Sequence, residues 1–252
     1  MITAIIGGSG LSRFSGMDIH REHAVSTPFG PTSAPIQEGR IGGCDGVLFL
    51  HRHGGGGQPI PPHLVNYRAN IWALKELGAT RVIAANAVGA INAQLRPGRL
   101  VIPDQLIDYT WGREHSFDDG SSGSLMHIDF TYPFDDDLRR QLLAAALSTA
   151  VPCDEGAVLA VVQGPRLETA AEITRMARDG CDIIGMTSMP EASLAREAGL
   201  AYATVAMIVN AAAGLGDQPI SIDRIREILN RETELFAALV AGFLSHQGAA
   251  SP

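Results

Sequence analysis

Residues 4–11 read AIIGGSGL, an apolar run that breaks at once into Gly-Gly-Ser-Gly. Such a run, with no polar alternation, fits a strand buried on both faces, as parallel sheets require. The glycines behind it let backbone come close to a ligand, and free N–H groups at such a turn suit an anion. Three readings compete for Ser9: a dinucleotide fingerprint, a phosphate pocket of another kind, or a plain strand-to-helix turn.

The same pattern recurs outward along the chain. Apolar runs predict strands over 3–6, 46–50, 81–86, 100–106, 158–163, 182–185 and 202–208. Helical periodicity fills the intervals at 64–77, 136–147, 168–178 and 191–198, and Gly78 is a good residue to stop the first of these. A last helix opens with Ser221 as N-cap and carries an apolar stripe from Ile225 through Leu229 and Phe236 to Phe243. Alternation of this kind predicts an α/β fold with a mixed, largely parallel twisted central sheet flanked by helices. With no linker or internal repeat, the expectation is one domain over 1–248 and a disordered tail at 249–252.

Bulk composition narrows the class of function. The 252 residues are 46% hydrophobic and 18% charged, enough apolar material for a sizeable core. The net charge of −8, without a basic stripe, argues against nucleic acid and anionic membrane as partners. Cys44, Cys153 and Cys181 are widely spaced and fit neither a zinc nor a disulfide pattern. No run reaches membrane-spanning length and no signal-type leader is visible, so a soluble cytoplasmic protein is expected. His51 and His53 stand two apart with no third ligand near, which reads as a chance pair and predicts no metal.

Two loops carry unusual composition. HRHGGGGQPIPP at 51–62 sets titratable side chains beside four glycines, and TWGREHSFDDGSSGS at 110–124 is long and polar. For the second, a surface excursion and a direct role weigh about equally.

The dinucleotide reading then fails on its own terms. Counting from Gly8, the sixth position of G-x-G-x-x-G is Arg13, and no G-x-x-x-x-G-K-[ST] occurs anywhere. A small phosphate cradle gains instead. Arg52 and His53 follow one predicted strand, Asn86 and Ala87 close another, and Thr187 follows DIIGM at a third. Ligands of open α/β sheets sit at such strand ends, and arginine with amide and hydroxyl donors suits an oxyanion. Taken singly, Asn86 and Thr187 would read as local caps.

Longer stretches resemble the trimeric purine nucleoside phosphorylases, and within them the methylthioadenosine/methylthioinosine branch. They include IIGGSGL, LHRHG, VNYRANIWALKELGATRVIAANAVGAIN, GPRLETAAEI, GMTSMPEASLAREAGLAYATVAMIVN and SIDRI, in that order. The resemblance implies phosphorolysis, in which inorganic phosphate attacks C1′ of a purine nucleoside and expels the base. It implies a homotrimer, and phosphate as co-substrate in place of any cofactor. Ser9, Arg52, His53, Asn86, Ala87 and Thr187 would hold phosphate. Met186 would lie against the ribose, Asn210 with Glu168 would address the base, and Leu167, Ala211 and Ala212 would line the substrate.

Within that resemblance, Glu168 and Asn210 point to a 6-oxopurine. Adenine-specific members carry aspartate at the position of Asn210. A 6-oxopurine offers N1–H to a carboxylate and accepts an amide donor at O6 or N7, whereas adenine presents an acceptor at N1. At the other end of the nucleoside, members that use a 5′-hydroxyl carry histidine where this chain has Ile222. With Ile225 one turn on, an apolar wall suits a methylthio group, so 5′-methylthioinosine is the expected substrate. Inosine/guanosine phosphorylase and methylthioadenosine phosphorylase are the alternatives, and a non-catalytic purine-binding protein is a remote one. His127, in MHIDFTYPF, matches the segment a neighbouring subunit lays over the 5′ pocket. The chain departs from the family at GGGGQ, where a second histidine is usual, and at Asn86, where threonine or serine is usual.

Overall fold

The computed structural model describes residues 1–8, 10–11, 14, 16–56, 58–121, 126–216 and 222–248, with the side chains of 222, 247 and 248 excepted. Ser9, Ser221 and the tail at 249–252 therefore lie outside the described residues.

Among the described residues, eleven strands form one mixed sheet. The central members are β1 (Ile2–Gly7), β4 (Cys44–His51), β5 (Ala79–Ala90), β10 (Ile183–Gly185) and β11 (Ala201–Ala211). Their side chains alternate between two layers. Ala4, Ile6, Leu50 and Val82 face helices α1 (Tyr67–Glu76) and α4 (Ser188–Glu197). Ile5, Phe49, Ile83 and Val205 face α2 (Asp136–Thr149) and α5 (Ile222–Gly248). Both faces being covered, a run such as AIIG needs no polar alternation. The stripe on α5 buries Phe236, Leu239, Val240 and Phe243, each contributing about 1.5–3 kcal/mol. Helix α3 (Ala170–Arg178) packs separately, with Ile173 and Met176 against Ala160 and Ile184. Among the described residues no helix is long and apolar enough to cross a membrane.

Several boundaries differ from the sequence reading. The expected strand over 100–106 is two: β6 (Leu100–Ile102) and β7 (Gln105–Asp108). Pro103 interrupts it because it has no N–H to donate, and the halves join different partners, β6 pairing β8 (Cys153–Glu155) and β11 while β7 pairs β9 (Val158–Val161). The expected helix over 64–77 starts at Tyr67, where the Asn66 side chain caps the N–H of Ala69 at 3.1 Å, after a short 3₁₀ turn at Pro62–Leu64. Strands β2 (Met17–His23) and β3 (Ile36–Ile41) had no sequence signal, being polar, half-exposed members at one edge. Gly78 does end α1, at φ +84°.

The sheet forks at β5. On one edge β5 pairs β1 up to Ala84, and further along the same edge it pairs β10 at Gly89 and Ala90. Strand β11 covers the opposite edge from Arg81 to Ala90. Between the two partners, residues 85–88 meet no strand on that edge among the described residues. The fork opens a space at the carboxyl ends of β1 and β4, the switch-point position where open α/β sheets bind ligands.

Candidate active site

A cavity of about 570 Å³ occupies the fork. Its floor is Gly7, the last residue of β1, and Gly8 after it, with Arg52 and His53 just past β4 and Asn86 to Gly89 of β5. Met186 and Thr187, between β10 and α4, close one side, and Leu167 and Glu168, before α3, close another. A bulge between Ile208 and Asn210 disturbs the alternation of β11, and Val209 and Asn210 both face the cavity. Ile225 and Leu229 of α5 complete it with an apolar wall.

Arg52 is the electrostatic centre. It is wholly buried, and its fork meets Glu191 with Nε at 2.5 Å from Oε1 and Nη2 at 2.9 Å from Oε2. Nη1 donates to the carbonyl of Ala85 at 2.9 Å, so the guanidinium bridges the unpaired edge of β5. Gly8 has to be glycine here, since a Cβ would lie 2.7 Å from the Ala85 carbonyl oxygen and 2.9 Å from Arg52 Nη1.

His53 is held neutral. Burial and the neighbouring Arg52 charge lower its pKa below the ordinary histidine value. Nδ1 lies 2.8 Å from the carbonyl oxygen of Ile60, which can only accept, so Nδ1 carries the proton and Nε2 keeps a lone pair. His53 thus enters the site as a neutral imidazole and not as a second cation.

Neither Thr187 nor Asn86 acts as a local helix cap. Thr187 precedes α4 but makes no side-chain cap. Its hydroxyl donates to Asn86 Oδ1 at 2.6 Å, and Asn86 Nδ2 donates to Ser188 Oγ at 2.6 Å. Glu168 is likewise not a residue of the helical first turn. Helix α3 begins at Ala170 behind a capping box of Thr169 and Glu172, leaving Glu168 on the cavity wall. Burial raises the Glu168 pKa above the ordinary carboxylate value. Asn210 Nδ2 donates one hydrogen to the carbonyl of Ala211 at 2.6 Å, and the amide retains a second.

The cavity therefore brings together Arg52, His53, Asn86, Ala87, Leu167, Glu168, Met186, Thr187, Asn210, Ala212 and Ile225. Ala211 is not on its wall; it pairs Ala90 beyond the bulge, where strand alternation turns it away. His127 is exposed and does not line the cavity of its own chain. Ser9 and the side chain of Ile222 are outside the described residues.

Arg113 shows what the polar loop at 110–124 does. Its guanidinium turns inward, Nη1 donating to the carbonyls of Met186 at 2.8 Å and Met189 at 2.5 Å. Nη2 donates to the carbonyl of Gln163 at 2.8 Å and Nε to its side chain at 3.1 Å. One cation thus ties the turn at Met186 to the segment leading to Glu168. Sequence reading missed it because arginine in a polar loop looks solvated. Arg113→Met would leave several carbonyls short of donors at about 1–3 kcal/mol each. A drop in kcat/KM of about 10²-fold together with a lower melting temperature is expected; activity within threefold of wild type would show that the tie does not matter.

The fold and the fork are those of an α/β protein with a ligand cavity at the switch point of its sheet. The chain belongs to the phosphorylase superfamily, whose profile matches residues 3–245. It is a pentosyltransferase of the nucleoside phosphorylase type. A Xanthomonas campestris protein named "probable S-methyl-5'-thioinosine phosphorylase" is 51% identical over 214 residues, 85% of each chain. The 6-oxopurine nucleoside phosphorylase of Pyrococcus furiosus is 41% identical over 242 residues, covering 94% of this chain and 89% of that one. Among solved structures, methylthioadenosine phosphorylase from Schistosoma mansoni in complex with adenine superposes with a TM-score of 0.92 at 33% identity, covering 99% of this chain and 92% of that one.

Proposed function

We propose that the protein cleaves 5′-methylthioinosine with inorganic phosphate, releasing hypoxanthine and 5-methylthioribose 1-phosphate. One observation carries this reading: the Glu168 carboxylate and the Asn210 amide share a cavity with the Arg52–Asn86–Thr187 group, and an apolar wall closes it. Phosphate sits at the fork against Arg52 and the glycine turn. Its oxygen bonds to C1′ as the C1′–N9 bond breaks, and the electron pair of that bond moves onto the purine, which leaves as hypoxanthine on taking up the proton that the hydrogen phosphate loses. The Asn210 amide donates to O6 or N7, where negative charge grows, and Glu168 accepts from N1–H. A preorganised donor of this kind is worth about 10²–10³ in rate. Ile225 and Leu229 pack on the methylthio group and give a 5′-hydroxyl no partner.

Inosine is the second reading, favoured by the 6-oxopurine relative. Incubation with methylthioinosine, methylthioadenosine, inosine and adenosine, with and without phosphate, separates the cases. Hypoxanthine release from methylthioinosine, only with phosphate and faster than from inosine, is expected. Faster adenine release from methylthioadenosine would refute the assignment.

The proposal includes a cytoplasmic homotrimer. The free thiols of Cys44, Cys153 and Cys181 suit a reducing compartment. Met126 and Tyr132, 62% and 70% exposed, flank the exposed His127 and give a second copy an apolar surface to cover. A solution mass of one chain would remove this part of the proposal.

A further inference from the structure

Behind the cavity, side chains that do not line it join the two flanks of the phosphate cradle. From Thr187 and Asn86 the path continues through Ser188 Oγ to Thr204 Oγ1 at 3.0 Å. Thr204 donates to the Tyr202 hydroxyl at 3.3 Å, and Tyr202 donates to Glu191 Oε2 at 2.9 Å. Glu191 in turn holds the Arg52 fork. The path leaves the site at Thr187 and returns to it at Arg52. All seven side chains are buried.

Its direction is fixed at both ends. The Asn86 amide nitrogen can only donate, so Ser188 must accept from it and pass its own proton to Thr204. The Glu191 carboxylate can only accept, so Tyr202 and Arg52 must both donate to it. Each hydroxyl between them accepts once and donates once, and donors aligned head to tail in a dry interior strengthen one another. The path also crosses the fork, where residues 85–88 meet no strand on that edge among the described residues. On that edge, the side-chain contacts that join Arg52 to Asn86 are this relay and the Arg52–Ala85 hydrogen bond.

We infer that Glu191 and Tyr202 are positioning residues for the tetrahedral oxyanion co-substrate: they lock Arg52 on one flank and Asn86 with Thr187 on the other into a single geometry. The inference rests on the phosphate reading above. It differs from a simple counter-charge role in sign. Were Glu191 only a counter-charge to Arg52, Glu191→Gln would free a cation and tighten oxyanion binding. As a positioning residue, its loss misplaces the fork and weakens binding.

Tyr202→Phe is the cleaner test, because the ring stays stacked near Phe134, at 6.2 Å between centroids, and only the hydroxyl is lost. A hydrogen bond to a charged group, removed, predicts a rise in phosphate KM of about tenfold. The nucleoside KM should stay within about twofold, and Glu191→Gln should raise the phosphate KM at least as much. Thr187→Ala should cost less in the Tyr202→Phe background than in wild type, because the flanks are no longer coupled. A phosphate KM unchanged in Tyr202→Phe, or strictly multiplicative effects of the two substitutions, would overturn the inference while the wild type remained phosphate-dependent. Base release by the wild type without phosphate would instead overturn the underlying reading, and this inference with it.

Discussion

Replacing Gly8 by alanine is expected to cut phosphate-dependent turnover by about 10²-fold with little loss of folded protein. The new methyl would stand 2.7 Å from the Ala85 carbonyl oxygen and 2.9 Å from Arg52 Nη1, wedged between two groups that now bond to each other. Ala85 cannot yield cheaply, because β11 pairs the opposite edge of β5 at that residue. Arg52 cannot retreat either, since Glu191 grips both Nε and Nη2. The guanidinium must therefore tilt where phosphate is to bind, and a misplacement of about 1 Å at a reacting centre can cost about 10²-fold. The damage should appear in the phosphate KM and in kcat, with the melting temperature lowered by only a few degrees. Wild-type kcat/KM for phosphate in Gly8→Ala would mean that phosphate does not use this corner of the fork.

That corner was half legible in the sequence. Apolar runs such as AIIG and VIAAN announce strands buried on both faces, and Arg52, Asn86 and Thr187 could be placed at strand ends from their position alone. What turned them into a cradle was not local. Whether Thr187 caps α4 or faces inward depends on Asn86, one hundred and one positions away in sequence. Glu191 looks like an ordinary charge in a helical first turn, and only the packing of α4 under the sheet makes it the buried partner of Arg52. Edge strands β2 and β3 escaped because half-exposed, charged segments give no apolar run. The split at Pro103 was visible as a proline, yet the separate partners of β6 and β7 were not. Local composition reports burial well when both faces are covered, and poorly when one distant side chain supplies the neutralising contact.

The second large effect concerns the base. Asn210→Asp should lower kcat/KM for methylthioinosine by about 10²–10³-fold, because the donor to O6 or N7 becomes a carboxylate facing growing negative charge. Methylthioadenosine should lose far less, since its 6-amino group donates to the new acceptor. The ratio of the two substrates should therefore move toward adenine by two orders of magnitude or more, within the range of about 10⁴–10⁵ open to hydrogen-bonding sites. Glu168 adds a pH signature whose sign follows from its burial. The carboxylate must be ionised to accept from N1–H, and its pKa lies above the ordinary value, so kcat/KM for methylthioinosine should fall as pH drops through that raised pKa. Stability runs the other way: a carboxylate with a raised folded-state pKa favours the folded chain at low pH, and that contribution is lost as pH rises through the same value. Acidification should thus reduce activity while Glu168 itself contributes no loss of fold. Glu168→Gln should abolish that acidic limb and weaken 6-oxopurine use, leaving the phosphate KM near wild type. If the limb persists in Glu168→Gln, the titrating group is not this carboxylate; if the adenine-to-hypoxanthine ratio is unmoved in Asn210→Asp, the base does not meet this amide.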